Sequence, residues 1–303
     1  MCGIVGLHLR NPELHSQLGE LLTQMLCEME DRGADSAGIA VYGNEEWSPH
    51  GRGSVSLIDL DVAADTVAAA LCAEIGAEVT ATTVGNVVLA STDVASEVLL
   101  SAARQIYPGV LIGGFGEDLA VLKGVGAPQA LAESWGLAEA RGWQGVGHTR
   151  MATESAVTSS GAHPYAVGPG ECLVHNGSFS NHASVRRHLR AVGVEFDSEN
   201  DTEVGARFVA HLLAGGKGID EALTDLTKTF DGFYTLLVSN RDSFAVVRDA
   251  IACKPAVIAE TDDWVAMASE YRALAHLPGV GNARIWEPQP EVVYHWNRQE
   301  MSA

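Results

Sequence analysis

The chain has 303 residues, 47% of them hydrophobic, and carries 39 acidic side chains against 19 basic ones, a formal charge of −20 at neutral pH. That excess of negative charge opposes a phosphate backbone or an anionic lipid surface, so neither a nucleic-acid nor a membrane partner is expected. The N-terminus lacks the basic and apolar regions of a signal peptide, and no run reaches the ~18 apolar residues of a membrane span, which points to the cytoplasm. Cys2, Cys27, Cys72, Cys172 and Cys253 are odd in number, scattered and never in a CxxC pair. No disulfide framework, zinc site or iron–sulfur cluster is therefore expected, and no metal.

The chain opens on Met1-Cys2-Gly3-Ile4-Val5-Gly6. Removal of Met1 would leave Cys2 with a nucleophilic sulfur and a free α-amine on one residue. With ordinary pKa values of about 8 for the amine and about 8.5 for the thiol, the amine can take the sulfur's proton near neutral pH without a separate histidine. Ile4, Val5, Leu7 and Leu9 read as a buried strand that would hold such a terminus rigid, although the same residues also suit a plain N-terminal strand with a buried cysteine. Asn11-Pro12-Glu13 reads as a helix start, with Leu14, Leu18, Leu21, Met25 and Met29 at helical spacing and Gly33 beyond the last turn. The polar turn Asp31-Arg32-Gly33-Ala34-Asp35-Ser36 leads into a strand over 38–42. Arg32 and Asp35 suit either a surface ion pair or a brace for the nearby terminus.

Residues 53–126 read as an inserted α/β subdomain, with helices over 62–75 and 94–106 and strands over 78–84 and 86–90. A further hairpin is expected from 110–112 and 119–122 around Gly113-Gly114-Phe115-Gly116. These glycines do not stand between a strand and a helix as in GxGxxG, so no nucleotide site is assigned to them. A short helix over 129–140 follows.

Four polar segments come next: Gly147-His148-Thr149-Arg150-Met151-Ala152-Thr153, His163-Pro164-Tyr165, Val174-His175-Asn176-Gly177-Ser178-Phe179-Ser180-Asn181, and Asn200-Asp201-Thr202-Glu203-Val204. Each falls at a strand exit or helix start, where chains place groups that converge on a ligand. The Asn176 amide and the Gly177 backbone N–H could donate to the oxyanion formed when a thiolate attacks an amide. Arg150 could grip a carboxylate and Asp201 an ammonium, which together would select a free amino acid. Taken singly, each has an ordinary structural role: Asn-Gly in a turn, Asp-Thr-Glu at a helix start, an arginine on the surface. His148, His163 and His175 leave a papain-like Cys–His pair open, beside local packing.

MCGIVG, DRGADSAG, GHTRMAT, HPY, HNGSFSN and NDTEV, in that order, resemble the class II glutamine amidotransferases, whose N-terminal nucleophile domain releases ammonia from glutamine. The matched motifs run from residue 2 to about 204, and the later strand pairs fit the family's remaining sheet. The resemblance implies a four-layer αββα sandwich spanning 2–303 with the 53–126 insertion. It also implies Cys2 as nucleophile, Arg32 orienting the terminus, Asn176 and Gly177 as oxyanion hole, Arg150 and Asp201 on the glutamine carboxylate and amine, and Thr153 and His163 lining the pocket. Met151 stands where sugar-phosphate amidotransferases commonly have tryptophan, and Glu154-Ser155 replaces His-Gly. The insertion and GHTRMATES are closer to the separate amidotransferase subunits of glutamate-synthase-like enzymes, including N-methylglutamate synthase.

The C-terminal third carries helical spacing over 201–213 and 219–230, then strands over 234–239, 243–249, 256–259 and 264–268. Asp249-Ala250-Ile251-Ala252-Cys253-Lys254-Pro255 and Ala268-Ser269-Glu270 resemble family segments near the active site and receive no catalytic role. No second enzyme domain is expected after 291–296. The resulting expectation is a glutaminase-type subunit that supplies ammonia to a separate synthase subunit. It carries no cofactor of its own, and FMN belongs to the partner. A catalytically silent glutamine-binding regulatory subunit, a stand-alone glutaminase, and an N-terminal-nucleophile hydrolase of another amide are the alternatives.

Overall fold

Every residue from Gly3 to Leu9 is buried, and a run with only His8 polar is what a strand covered on both faces requires. This strand, β1 (Gly3–Leu9), stands inside the larger of two stacked sheets in a computed structural model that describes residues 2–152 and 156–298. In chain order there follow α1 (Leu18–Cys27), β2 (Ser36–Tyr42), β3 (Gly53–Ile58), α2 (Ala64–Ile75), β4 (Val79–Val84), β5 (Val87–Thr92) and α3 (Ser96–Ile106). Next come β6 (Leu111–Glu117), β7 (Leu119–Val125), α4 (Pro128–Ser134), β8 (Gln144–Arg150), β9 (Cys172–Phe179), α5 (His182–Ala191), α6 (Asp201–Ala214) and α7 (Ile219–Thr229). The last strands are β10 (Gly232–Ser239), β11 (Ser243–Arg248), β12 (Val257–Glu260), β13 (Trp264–Ala268), β14 (Arg284–Trp286) and β15 (Tyr294–Asn297).

The large sheet has seven strands in the order β14-β12-β13-β1-β8-β2-β7, and a four-stranded sheet, β15-β11-β10-β9, lies on it. Side-chain alternation along each strand builds the layers. Ile4, Val146, Met267, Val174, Leu237 and Phe244 meet between the sheets. Val5, Leu7 and Ile39 point the other way, onto Leu18, Leu22, Met25 and Leu26 of α1. On the far side Leu236, Val238 and Val247 meet Leu189 of α5, Val204 and Val209 of α6, and Leu223 and Leu226 of α7. Each fully buried aliphatic side chain of this kind contributes roughly 1.5–3 kcal/mol by leaving water. The result is the expected αββα sandwich. Among the described residues no helix is long and apolar enough to cross a membrane.

Three local expectations change. The helix expected over 14–29 is split into a 3-10 turn capped by Asn11, whose side chain accepts from Glu13 N at 3.0 Å, then α1, then a second 3-10 turn over Glu30–Arg32. That last turn brings Arg32 beneath the chain terminus. The glycines of 113–116 make no hairpin but lie within β6. A Cβ on Gly114 would stand 2.7 Å from Val121 Cγ2 and 2.9 Å from Ala166 Cβ, so glycine here allows close packing of a strand. The chain reverses instead at Asp118, with φ of +58°, and β6 and β7 join different sheets. The inserted sheet, β4-β5-β3-β6, thus ends at Glu117, while β7, inside the expected 53–126 stretch, pairs with β2 of the large sheet. Helices α2 and α3 cover this third sheet around Val55, Leu57, Val67, Leu71 and Leu99.

Candidate active site

Cys2 stands at the head of β1, where the register places Gly3 opposite Thr149 of β8 and so sets Arg150 beside the terminus. Asn176 and Gly177 arrive from β9 of the second sheet, and Asp201 from the first turn of α6. All five line one cavity of about 730 Å³, together with His163 and His175. Six of the eight residues singled out by sequence, Cys2, Arg150, His163, Asn176, Gly177 and Asp201, thus share a wall. Arg32 lies beneath it, and Thr153 is outside the described residues.

The terminus is held from several sides. Arg32, 8% exposed, donates from Nε to the Cys2 carbonyl at 2.9 Å and pairs through Nη1 with Glu270 Oε1 at 2.6 Å. Asn176 Nδ2 donates to the same carbonyl at 3.0 Å. Two residues on, Ile4 N donates to Ser269 Oγ at 2.9 Å, and Ser269 N donates to Ile4 O at 2.9 Å. Ser269 and Glu270 therefore tie down the terminus, a structural part that the sequence segment did not specify. Asp35 does not pair with Arg32: its carboxylate accepts from Ala152 N at 2.8 Å and fixes the loop that leaves Arg150.

Gly177 has φ of +146°, and an added Cβ would stand 2.0 Å from Phe233 O, so only glycine fits. Asn200 caps α6 by accepting from Thr202 N at 2.8 Å, and Asp201 accepts from Phe179 N at 2.9 Å, which fixes its carboxylate at the dipole-positive helix end. Arg150 is buried along its stem and donates from Nη1 to Ala156 O at 3.4 Å.

Among the described residues the histidines hydrogen-bond to one another and to Thr202, and not to the Cys2 sulfur. His148 donates from Nε2 to His175 O at 3.0 Å, His175 N donates to His163 Nδ1 at 3.2 Å, and His175 Nδ1 meets Thr202 Oγ1 at 2.9 Å. Burial pushes His148 down to about 3 and His175 down to about 4, and it lowers His163 well below the ordinary imidazole value. They are neutral at physiological pH. His182, Glu199 and Lys254 also line the cavity and were not singled out by sequence. Lys254 lies 5.1 Å from the Phe233 ring centroid. Its position inside the 249–255 segment was the available signal.

Residues 148–276 match a family model described as a glutamine amidotransferase domain. Over 99% of each chain, the sequence is 45% identical to the glutamine amidotransferase-like protein GlxB of Rhizobium meliloti (strain 1021). It is 36% identical, over 59% of this chain and 30% of the relative, to a glutamine--fructose-6-phosphate aminotransferase [isomerizing] of Thermus thermophilus. Glutamine phosphoribosylpyrophosphate amidotransferase from B. subtilis shares the fold at a TM-score of 0.60 and 18% identity, covering 98% of this chain and 49% of that one. This chain therefore belongs to the glutamine amidotransferase family, as a class II member built on the N-terminal-nucleophile sandwich.

Proposed function

We propose that this chain hydrolyses the side-chain amide of glutamine through Cys2 and delivers the ammonia to a separate synthase subunit. The observation that carries the reading is the convergence of Cys2, Arg150, Asn176, Gly177 and Asp201 on one cavity. With Met1 removed, the α-amine of Cys2 takes the thiol proton and the sulfur attacks the amide carbon. The oxyanion accepts from Asn176 Nδ2 and from the Gly177 backbone N–H. A side-chain amide has two hydrogens, so Asn176 can keep its 3.0 Å bond to the Cys2 carbonyl and still donate the second. The C–N bond breaks as the ammonium of Cys2 returns its proton to the leaving nitrogen. Water then hydrolyses the thioester to glutamate.

Arg150 and Asp201 hold the ends of glutamine that do not react, the carboxylate and the ammonium, and their opposite charges favour a free zwitterion over a peptide. The acceptor is a 2-oxo acid or a glutamate derivative on a glutamate-synthase-like partner, which also carries FMN. The support for that assignment is the motif pattern GHTRMATES with its long insertion. The test is glutamate release from glutamine, measured with and without a candidate synthase subunit and acceptor. Activity that is weak alone and rises with both supports coupling. High activity alone, unchanged by any synthase subunit, makes the chain a stand-alone glutaminase.

A further inference from the structure

Three buried imidazoles stand at the cavity, His163 and His175 in its wall and His148 stacked on His163, and the hydrogen bonds of His163 and His175 close on themselves through Thr202. The His175 backbone N–H can only donate, so His163 Nδ1, 3.2 Å away, is the acceptor and the neutral His163 ring carries its proton on Nε2. That Nε2 faces Thr202 Oγ1 at 3.4 Å and donates to it. The Thr202 hydroxyl, having accepted, turns its own proton to His175 Nδ1 at 2.9 Å. The path runs from the His175 backbone through His163 and Thr202 to the His175 ring. His148, stacked on His163 with 4.0 Å between ring centroids, donates to the His175 carbonyl and secures the same residue from the other side.

We propose that this ring, with the Thr202 hydroxyl as its hub, is the positioning device that sets the oxyanion donors and the ammonium acceptor at one fixed spacing; the proposal rests on the glutaminase reading above. Its attachment points carry the inference. His175 immediately precedes Asn176 and Gly177, Thr202 immediately follows Asp201, and His148 is two residues before Arg150 on β8. The β9 and α6 segments thereby meet at a single hydroxyl, and the β8 segment is tied to them through the His175 carbonyl. A purely structural core would not be built this way: among the described residues His148 Nδ1 and His175 Nε2 are buried without a hydrogen-bond partner, and each such group costs stability. Apolar side chains would fill the space more favourably. The lowered pKa values keep all three rings neutral, so the donor and acceptor order is fixed across the physiological range.

Thr202→Val keeps the β-branched shape and removes the hub, and Thr202→Ser restores the hydroxyl. In the full-length protein, Thr202→Val is expected to lower kcat for glutamine by roughly tenfold or more and to raise KM several-fold, while Thr202→Ser returns kcat to within about threefold of the unsubstituted protein. The rate of Cys2 alkylation by iodoacetamide should change far less than kcat, because Arg32 and Ser269 still hold the terminus when the Asn176 bond to the Cys2 carbonyl is perturbed. Full turnover in Thr202→Val, or a Thr202→Ser no better than Thr202→Val, overturns the inference. Imidazole nitrogen-15 spectra at neutral pH test the ring without any turnover. His163 protonated on Nε2 and bare on Nδ1 supports it, and His163 protonated on Nδ1 or as imidazolium overturns it. An unsubstituted protein that releases no glutamate refutes the glutaminase reading by itself, and the spectra then still decide the ring.

Discussion

Gly177→Ala is the substitution whose cost is most directly set by the backbone. The residue pairs with Tyr234 between β9 and β10 at φ of +146°, and its Cβ would fall 2.0 Å from Phe233 O and 2.7 Å from Tyr234 Cα. Backbone strain at such a φ costs roughly 1–3 kcal/mol and the forced overpacking about as much again, together about 4 kcal/mol. Unfolding entropy near 2.1 cal/mol/K per residue gives about 0.64 kcal/mol/K for 303 residues, so Tm should fall by about 6 °C. The same shift displaces the N–H at 177, the proposed oxyanion donor, and its loss should lower kcat by roughly a hundredfold or more. Calorimetry with a glutamate-release assay reads both effects. Asn176→Ala is the control, since it loses the other proposed oxyanion donor but only one hydrogen bond, about 1 kcal/mol. A Gly177→Ala protein that melts within about one degree of the unsubstituted chain and turns over normally would refute the geometric reasoning.

Mass spectrometry of active protein should show Cys2 as the first residue, and full glutamine turnover from material retaining Met1 would exclude the α-amine as base. Cys2→Ala should release no glutamate while keeping its melting temperature, and Asn176→Ala should lose roughly a hundredfold in kcat with a modest change in KM. Arg150→Ala and Asp201→Ala should mainly raise KM, which initial-rate kinetics would separate from a kcat effect. Acid should destabilise the fold through His8, His148 and His175, lowered by burial to about 4, 3 and 4. Between those values and the ordinary imidazole pKa near 6.5 the unfolded chain binds more protons, so this stability is complete above about pH 6.5 and is lost as pH falls toward 4 and 3. Denaturation midpoints that stay flat from about pH 7 to about pH 4.5 would contradict the burial of these rings.

The sequence was most legible where chemistry and backbone demand coincide. Cys2, Arg150, Asn176, Gly177 and Asp201 lie far apart in the chain, yet each belongs to a short motif at a strand or helix end, and the sandwich brings those ends to one cavity. Strand β13 falls where the apolar run 264–268 placed it. Gly113 and Gly114 were misleading because a glycine looks the same locally whether it bends the chain or admits a neighbour; only the packed side chains of Ile58, Val121 and Ala166 distinguish the cases. Lys254 and Glu199 were missed for a related reason. Lys254 lies in the 249–255 segment that resembles family segments near the active site, but that resemblance gave it no role, and nothing in the segment around Glu199 shows that tertiary folding brings it to the wall that holds Cys2.

The placement of β7 has a consequence for how the molecule presents itself to other chains. β7 is the outermost strand of the large sheet, and an open strand edge is a template for unwanted pairing. Here the inserted module shields it: Val121 N donates to Ser56 Oγ of β3 at 3.0 Å, and Ile58, Val87 and Leu89 of the small sheet join the apolar cluster behind β2 and β7. Because β2 pairs directly with β7, with Tyr42 opposite Leu119, the module leaves and rejoins the sheet at neighbouring points. It can therefore vary in length or content without shifting the pairing of β1, β2 and β8 around the terminus, but it cannot be cut away without baring an edge.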